Sequence, residues 1–114
     1  MVLILVGVYK YVRKPVESRL TADSTRGGEE FAFLCPDTDS QGAWALAECI
    51  RKSISDLTFD AEASRLNVTV SVGISEVSYN GDTLIDLIRR ADEALYQAKN
   101  QGRNRAVIRQ NSVV

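Results

Sequence analysis

The sequence contains no histidine and only two cysteines. Without histidine there can be no imidazole general base, no histidine-containing triad and no histidine-ligated zinc. Cys35 and Cys49 are not at metal-ligand spacing. Cys35 ends an apolar run and Cys49 falls in a helical pattern, so both are expected as small buried hydrophobes in a reducing compartment. A long hydrophobic run is also missing. The apolar N-terminal stretch, Met1 to Tyr9, is nine residues long, too short to span a bilayer. With no preceding basic residues and no small-residue cleavage pattern, it is not expected to be a signal peptide either. The expectation is a cytoplasmic protein with no membrane partner. Residues 1–16 hold no carboxylate at all.

The 114 residues suit a single domain spanning 1–114, large enough for a modest core. A net charge of −1 gives no general attraction to nucleic acid. Basic residues are nevertheless concentrated late in the chain. Arg89, Arg90, Lys99, Arg103, Arg105 and Arg109 face only Asp92 and Glu93 within residues 89–109, which predicts a locally basic end.

The chain is organised around Arg26-Gly27-Gly28-Glu29-Glu30-Phe31. Paired glycines accept positive φ without steric cost and so suit the centre of a two-residue turn. The run that follows reads as a strand over 29–35, ended by Pro36. The predicted hairpin tip is bare backbone beside two carboxylates, which admits a phosphate or a base and can hold a hard cation. An ordinary exposed turn is the bland alternative.

Residues 2–12 read as a strand rich in Val, Ile and Leu, with 1–16 as an apolar N-terminal unit, and a short strand over 16–25 would lead into the hairpin. Thr38 with Gln41 fits a capping box. Ala43, Trp44, Leu46, Ala47, Ile50 and Ile54 then recur on one helical face to about residue 56. A short strand is placed near Phe59. Val68, Val70, Val72 and Ile74 alternate with Thr69, Ser71, Gly73 and Ser75, predicting a half-buried strand. After a turn at Tyr79-Asn80-Gly81-Asp82, Asp82 or Thr83 caps a helix whose stripe is Leu84, Leu87, Ile88, Ala91, Leu95 and Ala98. Gly102 stops it, and Ala106-Val107-Ile108 forms a last strand. The alternation argues an α/β or α+β layer, with helices packed on a sheet.

Five ordered motifs resemble the GGDEF domains, the bacterial diguanylate cyclases. They are Arg26 to Phe31, Leu34-Cys35-Pro36-Asp37-Thr38, Ala47-Glu48-Cys49-Ile50-Arg51, Val68 to Ile74, and Ala91 to Lys99 with Gly102-Arg103-Asn104-Arg105. The resemblance covers about residues 26–108. It implies a nucleotidyl-cyclase, ferredoxin-like palm with a central mixed sheet. It also implies the joining of GTP molecules into cyclic di-GMP across two facing domains, with paired Mg²⁺ ions that polarise phosphates and activate the attacking hydroxyl. By position, Gly27 and Gly28 would admit the nucleotide, Glu29 would be a metal ligand with Glu30 beside it as the catalytic pair, and Lys99 and Arg103 would grip phosphates.

The front of the sequence departs from the family. A usual domain begins with a strand carrying D-x-D and two helices that contribute guanine contacts. Here Gly7 and Tyr9 stand where those aspartates would be if Leu3 to Val12 is that strand, and the first two helices have no counterpart in the pattern. The family's inhibitory R-x-x-D aligns with Ser18 and Thr21, so no inhibitory site is expected. Glu29 alone makes an incomplete metal site, so Mg²⁺ is not expected to be held tightly. The resulting expectation is a truncated GGDEF-like domain without cyclase activity. It would act as a binding module for GTP or cyclic di-GMP or as a protein-interaction module, and form a homodimer through sheet surface left uncovered. An active diguanylate cyclase and a remnant that binds nothing are the competing readings.

Overall fold

The computed structural model describes residues 1–13, 29–57, 59–61, 64–78 and 81–109. The expected strand at 16–25, the glycines Gly27 and Gly28 and the tip of the hairpin lie outside the described residues. The elements are β1 (Val2–Arg13), β2 (Glu30–Cys35), α1 (Ser40–Ser55), β3 (Phe59–Ala61), β4 (Ser64–Glu76), α2 (Leu84–Asn100) and β5 (Ala106–Ile108). The sheet runs β2-β1-β4-β3 with antiparallel neighbours, and β5 adds parallel to β4. This is the α+β mixed sheet expected, carrying two helices among the described residues.

Strand parity sorts the layers. Val2, Val70, Val72 and Ile74 meet Ala43 and Ala47 of α1 on one face, with Ile4, Val6 and Val8 packed against them. Leu3 and Leu5 meet Leu87 and Ala91 of α2 on the other. β4 is therefore covered on both sides. The expectation of a half-buried strand is corrected: Thr69, Ser71 and Ser75, read as its outer residues, are buried as well. Their small size is the reason. At Gly73 a Cβ would lie 2.2 Å from the carbonyl oxygen of Ala91 and 2.4 Å from the nitrogen of Leu95, so α2 rests directly on the strand backbone. Ser75 Oγ donates to the Leu87 carbonyl at 2.8 Å in the same contact.

The caps also differ from expectation at one end. The N-cap of α1 is Asp39, whose Oδ1 accepts from Gly42 N–H at 2.7 Å, while Thr38 Oγ1 donates to the Pro36 carbonyl. Thr83 caps α2 with a full capping box closed by Asp86, and Gly102 follows the helix at φ +115°. Leu84 and Ile88, expected on the buried stripe, are exposed, and Ala94 and Arg90 are buried instead. Cys49 is exposed and Cys35 only half-buried, so neither is the core residue expected. No helix is long and apolar enough to cross a membrane among the described residues.

The face beneath α1 is incompletely covered. An open groove of about 460 Å³ lies between α1 and the β1–β2 pair, walled by Ile4, Val6, Phe31, Phe33, Leu46 and Ile50. Leu46 is 60% exposed and Phe33 53%.

Candidate functional site

A cleft of about 180 Å³ opens on the α2 face where β1 and β2 meet the end of α2. Antiparallel register builds its floor. Gly7 of β1 stands opposite Glu30 of β2 on one side and Ser71 of β4 on the other, so the three form a row across the sheet. Glu29 anchors the adjoining backbone, its carbonyl accepting from Val8 N–H at 3.0 Å. Lys99, in the last turn of α2, and Arg103, in the turn beyond it, close the opposite wall.

Four of the six residues singled out from the sequence thus converge: Glu29, Glu30, Lys99 and Arg103 all line this cleft. Gly27 and Gly28 are outside the described residues. Lys99 Nζ donates to Glu30 Oε2 at 2.9 Å. Arg103 places its guanidinium carbon 4.6 Å from the centroid of the Tyr9 ring, within range of a cation–π contact. The cleft therefore holds two carboxylates and two cations, balanced to first order.

The residue at the centre of the row has no side chain. A Cβ on Gly7 would approach Lys99 Cε at 3.1 Å and Nζ at 3.5 Å, so the lysine fills space that a larger residue would enter. This decides the fit to paired Mg²⁺. Such ions need charge-compensating carboxylate oxygens in near-octahedral geometry. β1 supplies Gly7 and Tyr9, neither with a carboxylate, and Glu30 is engaged by Lys99. Among the described residues, no group of three or more His, Cys, Asp and Glu side chains is placed to hold a metal. The carboxylates among the described residues do not make up the donor set that such an ion pair needs.

The predicted basic end is largely neutralised. Arg90 makes a two-pronged pair with Asp82 at 3.0 and 2.7 Å, Arg109 pairs with Glu93 at 2.8 Å, and Arg89 lies within 4 Å of Asp86 and Glu93. The Arg90 guanidinium, with the Ser78 N–H and hydroxyl, holds the Asp82 carboxyl well below the usual carboxylate range. Asp86 is lowered by its capping bonds to Thr83, and Glu93 by its bond to Arg109.

Ser71 carries no site signal in the sequence, and neither do the contacts that hold the turn after α2. The alternating pattern sent Ser71 to solvent. Its neighbour Gly73 was the available signal that a helix lies on that face.

The family described as "Diguanylate cyclase, GGDEF domain" matches residues 13–105. The chain belongs to the GGDEF domain family. Among its relatives, Diguanylate cyclase A of Treponema denticola is 33% identical over 111 residues, covering 97% of this chain and 30% of that protein. Response regulator PleD of Caulobacter vibrioides is 47% identical over 83 residues, covering 71% of this chain and 18% of that protein. The chain thus spans less than a third of either relative. Among solved structures, the active GGEEF domain of a diguanylate cyclase from Vibrio cholerae superposes with a TM-score of 0.69 at 24% identity, over 98% of this chain and 85% of that one. The diguanylate cyclase SiaD of Pseudomonas aeruginosa, solved with its activator SiaC, gives 0.67 at 27% identity, over 94% and 49%.

Proposed function

We propose that this chain is a GGDEF domain that takes a guanine nucleotide, GTP or cyclic di-GMP, without carrying out cyclase chemistry. The observation that carries this reading is Gly7 at the centre of the cleft floor, between Glu30 and Ser71. Lys99 and Arg103 provide cationic donors for phosphate oxygens, and the Gly27-Gly28 backbone would admit the nucleotide. β1 contributes no carboxylate that could compensate a metal ion, so that strand offers the attacking hydroxyl no metal-based activation. Incubation with GTP and Mg²⁺, followed by chromatography, is expected to yield no cyclic di-GMP. Product formation that disappears on Glu29→Ala would overturn the reading in favour of an active cyclase.

The same reading includes self-association in the cytoplasm. The groove beside α1 is apolar along its whole wall, and an identical groove on a second copy is its natural complement in a two-fold contact. Phe31, Phe33, Leu46 and Ile50 would be the residues buried. A mass corresponding to one chain at all concentrations in light scattering would contradict it.

A further inference from the structure

The turn after α2 presents Arg103 to the cleft from a left-handed backbone that Arg103 itself resists. Gly102, Arg103 and Asn104 have φ of 115°, 63° and 53°, three left-handed residues in succession, of which only the first is glycine. Such a backbone persists only where the surroundings over-determine it. Part of the restraint is local, since Arg103 N–H donates to the Ala98 carbonyl at 2.9 Å.

The rest comes from the other side of the sheet. Arg51 of α1 donates through Nη1 to Asn104 Oδ1 at 2.9 Å. Arg51 is itself fixed by Glu48, which accepts from its Nε at 3.0 Å. The second oxygen of Glu48 accepts from Ala106 N–H at 2.9 Å, just past the turn. Asn104 N–H then donates to Ser71 Oγ at 3.2 Å, in the floor of the cleft. Asn104 is thus gripped from both faces of the sheet, and Arg51, which grips it from α1, and Glu48, which fixes Arg51, are mostly shielded, at 18% and 25% exposure.

We propose that Glu48 and Arg51 are positioning residues for the cleft: through Asn104 they set the left-handed turn that aims Arg103 across Tyr9 toward an anionic ligand. The inference rests on the reading of the cleft as a nucleotide site. Neither residue lines that cleft. A lysine at position 51 keeps the charge but loses the planar fork that reaches Glu48 and Asn104 together.

The test follows the Arg103 side-chain protons by NMR, because a proton over the Tyr9 ring is displaced upfield, and GTP affinity by calorimetry. In Arg51→Ala, with helical circular dichroism retained, the upfield displacement is expected to vanish and GTP affinity to fall about tenfold, the scale of one charge-assisted hydrogen bond. Arg51→Lys should restore helix stability but not the displacement. Asn104→Ala deletes Oδ1 and leaves a residue that does not favour positive φ, and should behave as Arg51→Ala does. It carries the test alone if Arg51→Ala does not fold. Retention of either the displacement or the native affinity in the folded variants overturns the proposal. If the unaltered protein takes no GTP, the nucleotide reading fails by itself, and the ring displacement alone decides whether Arg51 places Arg103.

Discussion

Lys99 at the end of α2 and Glu30 at the start of β2 are separated by 69 positions in sequence and by 2.9 Å in space. An anion entering the cleft has to share Lys99 with this carboxylate. Glu30→Gln is therefore expected to tighten GTP by about two- to fivefold at low salt, the range of a partly exposed ion pair. The gain should shrink as salt is added. Calorimetry across a salt series checks it, and an unchanged or weaker affinity would be the wrong sign.

Gly7→Asp would restore a carboxylate to the centre of the row. The new Cβ would meet chiefly the flexible end of Lys99, so the protein should remain folded. GTP binding by the variant is expected to be about tenfold tighter with Mg²⁺ than with a chelator, while the unaltered protein should bind equally well in both. Equal affinities in the variant would show that one carboxylate is not the missing component.

Gly73→Ala tests the contact between α2 and β4. The added methyl group would run into backbone on the helix side, at Ala91 and Leu95, which no side-chain rotation can relieve. A loss of about 3 kcal/mol or more is expected, at the upper end of overpacking effects. Urea unfolding measures it directly. A midpoint like that of the unaltered protein would mean that α2 is free to lift from the sheet.

Acid should act through Asp82. Its carboxyl is held below its ordinary value of 3.8 by Arg90 and Ser78, so the folded state favours the ionised form. The stabilisation is complete above that ordinary value and is lost as pH falls below it toward the depressed folded value. Asp86 and Glu93 shift in the same direction and add to the same window. Thermal midpoints should be level from neutral pH to about 4 and then fall. Asp82→Asn should start lower and fall less. Identical pH profiles for the two proteins would remove Asp82 from this role.

Phe33→Glu places a charge in the groove beside α1, where Phe33 is half-exposed and Leu46 and Ile50 lie opposite. The expected outcome is a two-chain mass for the unaltered protein and a one-chain mass for the variant, with matching circular dichroism. Equal masses would dissociate the groove from self-association.

Local chemistry made much of the fold readable. Thr83, Gly102 and the run Ala106-Val107-Ile108 bound α2 and β5 as expected, because caps and stops act within a few residues. Tertiary effects were less readable. Ser71 and Ser75 looked like solvent positions because a tight helix contact selects small residues, which overlap with polar ones. Leu84, Ile88 and Cys49 followed a helical period whose phase depends on what the helix meets. Asp39, rather than Thr38, caps α1, because the Thr38 hydroxyl donates back to the Pro36 carbonyl and the Asp39 carboxylate accepts from Gly42 N–H. In the cleft, Glu29, Glu30, Lys99 and Arg103 could be grouped only through the family resemblance, since periodicity does not bring residue 30 beside residue 99. The i,i+3 spacing of Glu48 and Arg51 suits their own pairing, but nothing in it points to Asn104 or Arg103.

The absence of a side chain at Gly73 also divides the cleft mechanically. Lys99 belongs to a helix pressed onto the most enclosed strand, whereas Glu30 belongs to β2, whose aromatic residues remain open to solvent. Amide exchange should be slowest through β4 and α2 and fastest along β2. One jaw of the cleft is thus anvil-like and the other compliant, so adjustment to a bound ligand falls to the glutamate-bearing strand.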